Sequence, residues 1–197
     1  MGLVNRTKQI LLQPKQEWQV IDTETTSVGA LYTGYIVVLA AIGPVASIIG
    51  WSAFGMGLPF AGTYRVPIGA AIRQGVIQYV LGLVGVFVLA LIIDALAPTF
   101  AAQKNRLQAL KVAAYSSTAA WVAGIFTLIP ALSILGLLGL YSLYLLYLGL
   151  PVLMKAPQQK AMGYTVVVVI AAVVLFFVVG VLAARFAWRP VVGVPGM

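Results

Sequence analysis

The residues of this sequence that could carry out chemistry are few, and two of the usual catalytic types are missing. The chain contains neither cysteine nor histidine, so thiolate nucleophiles, histidine metal ligands and histidine acid or base catalysis are excluded. Asp94 is the only acidic residue after Glu24. It ends a long apolar run, where an ionisable group could serve a proton or ion relay. Its place at the edge of that run instead predicts a structural pairing with Lys104, Arg106 or Lys111.

Four consecutive residues, Tyr115, Ser116, Ser117 and Thr118, bring hydroxyl groups together and could supply a nucleophile. A catalytic serine needs a base, and without histidine the only nearby substitute is Lys111. We therefore expect these hydroxyls to form hydrogen bonds between helices rather than to react.

Three tyrosines recur every third residue in the segment GLYSLYLLYLGLPVLMKAP, which runs from Gly139 to Pro157. On a helix this spacing spreads Tyr141, Tyr144 and Tyr147 over about 120°. Phenol groups so placed could line a polar cavity or contact a ligand. With Gly136 and Gly139 nearby, the pattern favours a seam of helix packing whose hydroxyls bond across an interface or reach the lipid headgroups.

The elements that position these residues follow from composition. About 62% of the residues are hydrophobic and 8% are charged, whereas soluble domains carry roughly 25% charged residues. The apolar runs are long enough to cross a bilayer, and an isolated strand in lipid would leave its backbone groups unpaired. The sequence therefore predicts an all-α membrane protein whose membrane domain covers residues 28–186. Five transmembrane helices are expected at about residues 28–49, 72–95, 112–129, 132–153 and 164–184. Pro44 predicts a kink in the first of them, and Pro130 divides the third from the fourth.

The distribution of lysine and arginine predicts the orientation. With a cytoplasmic amino end, eight of these residues lie inside and four outside, which satisfies the positive-inside rule. The inside group is Arg6, Lys8, Lys15, Lys104, Arg106, Lys111, Lys155 and Lys160, and the outside group is Arg65, Arg73, Arg185 and Arg189. Residues 1–27 then form a cytoplasmic segment with a short amphipathic helix opened by Pro14 and lying on the inner leaflet, with docking on a partner as the alternative. Residues 187–197 form an external tail.

Several segments together resemble the bacterial branch of the Yip (Ypt-interacting protein) family of five-span membrane proteins. They are ALAPTF, KVAAYSSTAAWVAGIFTLIP, GLYSLYLLYLGLPVLMKAP and KAMGYTVVVV, and the resemblance covers roughly residues 14–180. It implies five helices, a cytoplasmic amino end, an outward carboxyl end and a bacterial cytoplasmic (inner) membrane. Eukaryotic members bind Rab-type GTPases in vesicle traffic, but their long amino-terminal region and Asp-Leu-Tyr-Gly-Pro motif are absent from this sequence.

Two classes of function follow from these patterns. The first is a noncatalytic scaffold or accessory membrane protein that contacts membrane lipids and other membrane proteins or a second copy of itself. The alternative is a small transporter or channel, in which Pro44, Gln78 and the tyrosines line a polar path. An enzyme, a cofactor and a metal are not expected. Nucleic-acid binding is not expected either, because no basic stripe with interleaved aromatic residues is present.

Overall fold

The computed structural model describes residues 2–58 and 62–187, and nearly all of them are helical. Apart from Ala187, the tail predicted at residues 187–197 lies outside the described residues, as does Arg189. The α-helices are α1 (Leu3–Leu12), α2 (Pro14–Thr23), α3 (Val28–Leu31), α4 (Val37–Ala40), α5 (Ile42–Ala53), α6 (Ile68–Leu96), α7 (Arg106–Ser116), α8 (Thr118–Ala123), α9 (Tyr141–Leu153) and α10 (Gln158–Ala187). A π-helical turn joins α3 to α4, and 3-10 helices cover Ala97–Phe100, Gly124–Leu128 and Pro130–Leu140.

Two short strands follow α5 and form an antiparallel hairpin that the sequence patterns did not predict. They are β1 (Met56–Leu58) and β2 (Gly62–Tyr64), with Met56 opposite Tyr64. Trp51 lies close to this hairpin, because its carbonyl accepts a hydrogen bond from the Val66 amide.

Within the described part of the chain, four helical segments are long and apolar enough to cross a membrane. They are Val28–Ala53, Ile68–Phe100, Pro130–Leu153 and Gln158–Leu182. Each overlaps one of the predicted spans, so a multi-pass membrane protein is confirmed. The first segment is interrupted at Ala41, where α4 ends and α5 begins. Pro44 has no amide hydrogen to offer the carbonyl of Ala40, which accounts for a break at this point.

The predicted third span, residues 112–129, is not one continuous helix. It begins within α7, breaks at Ser117, continues as α8 and ends in a 3-10 helix. The hydroxyl groups explain the break: Ser117 Oγ donates to the carbonyl of Ala113 at 2.7 Å, and Thr118 Oγ1 donates to that of Tyr115 at 2.7 Å. Such back-bonding to the preceding turn bends helices.

The segment that contains α7 and α8 occupies the middle of the bundle. Every residue from Ala109 to Ser116 is buried, and α7 packs against both α6 and α9. At the far end, Gly124 crosses Gly43 of α5 so closely that a Cβ on Gly124 would lie 2.8 Å from the Gly43 Cα. The carbonyls of Thr127 and Leu128 likewise press against Gly50. Backbones can approach this closely only where side chains are absent.

The amino-terminal segment folds onto the bundle, which differs from the interfacial helix that the sequence predicted. α2 begins at Pro14 as expected, but α1 precedes it and the two helices form a hairpin. Ile10, Trp18 and Ile21 are fully buried in the protein core. The apolar face that was expected to rest on lipid is therefore occupied by the other helices.

Candidate interaction site at the amino-terminal end

Four charged side chains at this end of the bundle form what we call the amino-terminal cluster: Arg6, Glu17, Glu24 and Lys111. Arg6 Nη1 donates to Glu17 and Nη2 donates to Glu24, and the Arg6 side chain is only 6% exposed. Its guanidinium carbon also lies 5.7 Å from the centre of the Tyr115 ring. Burial alone lowers the pKa of Arg6, but the hydrogen bond to Glu24 and the two carboxylate charges raise it overall. Arg6 is therefore a permanent positive charge between two carboxylates and an aromatic face.

Lys111 reaches from α7 to the end of α2. Its Nζ donates to the carbonyls of Ile21 at 2.9 Å and Glu24 at 2.7 Å. These carbonyls lie at the carboxyl end of α2, where the helix has no amide donors left and where a cation is favoured. Burial lowers the pKa of Lys111, while the charges of Glu24 and Asp22 oppose that change. The lysine thus caps α2 and fixes its end against α7.

Three aromatic rings fill the space beneath the cluster. The Tyr115 ring lies 6.3 Å from that of Trp18 and 4.7 Å from that of Tyr35, both edge to face. The hydroxyls of Tyr35 and Thr118 are 2.7 Å apart. Because the Thr118 hydroxyl donates its hydrogen to the carbonyl of Tyr115, the Tyr35 hydroxyl is the donor in the bond to Thr118. Tyr115, one of the residues selected from sequence, therefore lies at the centre of the site.

A cavity of about 500 Å³ opens beside the cluster. Its walls include Arg6, Glu24, Tyr35, Tyr115 and the linker threonines Thr25 and Thr26. The charged groups on these walls already have partners in the protein, so the cavity offers chiefly hydroxyl and backbone groups to a ligand.

The reactive interpretation of the hydroxyl cluster has no geometric support. Ser116 and Ser117 bond to the carbonyl of Ala113 within their own helix, which differs from the interhelical bonds expected of them, whereas Thr118 does bond across to Tyr35. Lys111, the only substitute base, is committed to carbonyl groups. Among the described residues, no group of three or more acidic side chains could hold a metal ion.

Asp94 lies apart from the cluster, near the end of α6. It is 8% exposed, and its Oδ2 is 4.0 Å from Nε of Arg106, one of the three partners considered from sequence. The Arg106 side chain is 85% exposed, so water screens this pair and it adds little stability. The other oxygen, Oδ1, is buried and has no hydrogen-bond partner among the described residues.

The rings of Tyr141 and Tyr144 lie 5.4 Å apart, but the three tyrosines of α9 do not share one environment. The Tyr141 hydroxyl donates to the carbonyl of Leu11 at 3.2 Å and so ties α9 to α1. Tyr144 is 41% exposed, and Tyr147 lines a smaller cavity together with Lys15 and Trp18. They therefore do not line one common path.

Gln78 projects from α6 into a third cavity, of about 360 Å³, between the membrane-spanning segments. Pro44, Ser47, Tyr79, Trp121 and Thr127 also line this cavity. The Tyr79 hydroxyl is engaged by the carbonyl of Val37 at 2.9 Å. Pro44 and Gln78, which the transporter hypothesis grouped with the tyrosines of α9, thus share a cavity that those tyrosines do not reach.

Sequence patterns missed four residues of the site: Arg6, Glu17, Trp18 and Tyr35 did not stand out as a group. The available signal was the presence of three of the four acidic residues within the first 24 positions, in the same segment as Arg6. Acidic residues this close to a membrane domain need partners when they are buried.

Comparison with known proteins gives one match. A family model described as the Yip1 domain matches residues 8–180 of the chain. No curated protein and no solved structure matches it.

Proposed function

This chain belongs to the Yip family of multi-pass membrane proteins, and from that membership we propose that it is a noncatalytic scaffold or accessory component of the membrane. It acts through contacts with lipids and with other membrane proteins or a second copy of itself. It is not an enzyme and takes no cofactor.

The charged side chains of the amino-terminal cluster are all engaged in structural contacts, and this observation carries the proposal. Arg6 forms ion pairs with both Glu17 and Glu24, and Lys111 caps α2. A catalytic group would have to be free to exchange a proton or attack a substrate. These groups instead hold a helical hairpin in place.

Gln78 supports contact with a partner inside the membrane. It is exposed on α6, a helix whose other exposed side chains near it are apolar, such as Val76 and Val80. An exposed side-chain amide within a membrane-spanning helix favours association with another helix, because it finds hydrogen-bond partners there.

The proposal includes five crossings, which put the two ends on opposite sides of the membrane, with the amino end in the cytoplasm as the distribution of lysine and arginine predicts. The broken segment from α7 to Leu128 supports a fifth crossing, since Lys111 contacts the residues just before the first span while Thr127 and Leu128 contact Gly50 near its other end. The membrane is the bacterial cytoplasmic membrane, as the resemblance to the bacterial branch implies. The chain contains no cysteine, so the variants Lys8→Cys, Lys104→Cys and Arg65→Cys each carry a single thiol that can be labelled from one side of the membrane. The thiols of Lys8→Cys and Lys104→Cys should react only with a reagent on the cytoplasmic side, and that of Arg65→Cys only with a reagent outside.

Native purification with cross-linking tests the scaffold role. The untagged protein, extracted from its own membrane in mild detergent, should migrate in a complex, and Gln78→Leu should weaken that complex. Tyr144→Phe, which removes an exposed hydroxyl from α9, should leave it intact. Recovery only as a free monomer would contradict the proposal.

The second candidate function is a small transporter or channel, favoured by the cavity that Gln78 and Pro44 share. Vesicles containing the purified protein should then pass ions or small solutes at a rate that Gln78→Leu reduces. Absence of flux, together with an intact native complex, would leave the scaffold role alone.

A further inference from the structure

The smallest of the three cavities described above lies where α2 meets α9 and the start of α10. Its volume is about 280 Å³, and it is lined by Lys15, Trp18, Gln19, Tyr147, Leu148, Pro151, Val152 and Gln158. We name it the α2–α9 cavity. We propose that it binds the phosphate headgroup of an anionic glycerophospholipid from the leaflet that surrounds this end of the bundle.

The charge of the lining points to an anion. Of the described residues on the walls, Lys15 is the only charged one, and it is exposed. Lys15 forms no salt bridge with any residue in the described ranges. It also lies in the first turn of α2, whose free amide groups and dipole favour negative charge.

Two side-chain amides on the walls supply donors for an anion. Gln19 and Gln158 line the cavity and are exposed, so their amide groups can donate to phosphate oxygens. Trp18 is fully buried, and it contributes a wall of the cavity rather than a donor.

The position and the other walls point to a lipid as the source of the phosphate. α9 ends at Leu153, and Lys155 follows just beyond it, so the cavity lies about one to two turns from the end of a membrane-spanning segment. Tyrosine is enriched at this headgroup level. Leu148, Pro151 and Val152 form an apolar side that suits the glycerol ester region and the first carbons of the acyl chains. The cavity is far smaller than a whole lipid, so the chains remain in the bilayer.

Two neighbouring glutamines allow a matched test. Gln158 lines the cavity and Gln159 does not, yet both are exposed residues in the first turn of α10. A glutamate at either position is favourable for the helix, because it lies near the positive end of the dipole. Gln158→Glu and Gln159→Glu therefore change the net charge equally, and only the first places a carboxylate beside the bound phosphate.

The experiment measures lipid binding by the purified full chain with native mass spectrometry and thermal unfolding in neutral detergent. The probes are phosphatidylglycerol, phosphatidylcholine and inorganic phosphate. Phosphatidylglycerol should bind and raise the unfolding temperature more than phosphatidylcholine does. Gln158→Glu and Lys15→Gln should each weaken that binding by about fivefold, the effect of one charge near an anionic lipid. Lys15→Arg, Gln159→Glu and Lys8→Gln should leave it unchanged.

Three results would overturn the site. Equal losses for Gln158→Glu and Gln159→Glu would mean that the lipid responds only to net charge. Equal binding of phosphatidylcholine would remove the role of an anionic headgroup. Equal stabilisation by inorganic phosphate would identify a free anion, not a lipid, as the ligand. The experiment measures lipid binding by the isolated chain, so its outcome tests the lipid site independently of the scaffold role.

Discussion

The seating of Trp18 against Gly149 predicts how the amino-terminal hairpin is held. A Cβ added at Gly149 would lie 2.7 Å from Cζ2 and 2.9 Å from Cε2 and Cη2 of the Trp18 ring. Carbon atoms pack at about 3.5–4.0 Å, so the indole would have to move by roughly 1 Å. Trp18 is fully buried and also touches Tyr115, which leaves it little room to move. Gly149→Ala should therefore loosen the contact between α2 and α9.

The magnitude follows from two opposing effects. Forcing an extra methyl group into a packed core costs about 1–3 kcal/mol. Replacing glycine by alanine inside a helix gains about 1 kcal/mol. Gly85→Ala is the matched control, because Gly85 also lies inside an α-helix, α6, and none of the described atoms lies within 4 Å of its added Cβ. The control receives only a favourable backbone effect, so Gly149→Ala should be less stable than Gly85→Ala by about 1–3 kcal/mol.

Thermal unfolding in detergent, followed by tryptophan fluorescence, measures this difference. In the native state of Gly149→Ala the emission of Trp18 should also shift to longer wavelength, because the displaced indole ring is less buried and more exposed to a polar environment. A Trp18→Phe background removes the signal of this one residue among the four tryptophans. Equal stability of the two alanine variants, with unchanged emission, would refute the close packing of Trp18 on α9.

Three further predictions concern the same end of the molecule. Arg6→Gln should cost about 3–5 kcal/mol, because Glu17 is left buried without its counter-charge, and adding Glu17→Gln should recover part of that loss in the same unfolding assay. Stability should rise with pH between the lowered pKa of folded Lys111 and 10.5, the ordinary pKa of lysine, because in that window the unfolded chain binds more protons than the folded one. Unfolding temperatures measured across alkaline pH should show this rise, and Lys111→Met should abolish it. Tyr35→Phe should cost about 0.6–1.7 kcal/mol by removing the hydrogen bond to Thr118, and a double-mutant cycle with Thr118→Val should assign that cost to the pair.

Apolar run length was enough to predict most of the membrane domain. The four long segments coincide with predicted spans because a helix that crosses lipid must satisfy its own backbone and present apolar side chains along about 20 residues. The proline positions were informative for the same reason. Pro44 has no amide hydrogen to donate to the carbonyl of Ala40, so a break there was expected. Ile129, the residue before Pro130, is extended, because proline disfavours the helical conformation of the residue that precedes it.

The amino-terminal hairpin could not be predicted from sequence. Trp18 and Ile21 lie on one side of α2, and that pattern is equally compatible with lipid and with a protein core. The partner surface comes from Gly149, Tyr115 and Lys111, which are about 90 to 130 residues away in sequence. Only the tertiary contacts decide between the two environments, and they place the hairpin on the bundle.

The break in the central segment has a consequence that joins the fold to the site. Because Thr118 donates to the carbonyl of Tyr115, its oxygen is left as an acceptor for Tyr35 on the first span. The hydrogen bond from Thr118 to the carbonyl of Tyr115 also fixes the turn that contains Tyr115, whose ring lies under the guanidinium of Arg6. The hydroxyl group that bends the helix therefore also aligns the aromatic floor on which the amino-terminal cluster rests, so loss of Thr118 should loosen the hairpin as well as the span.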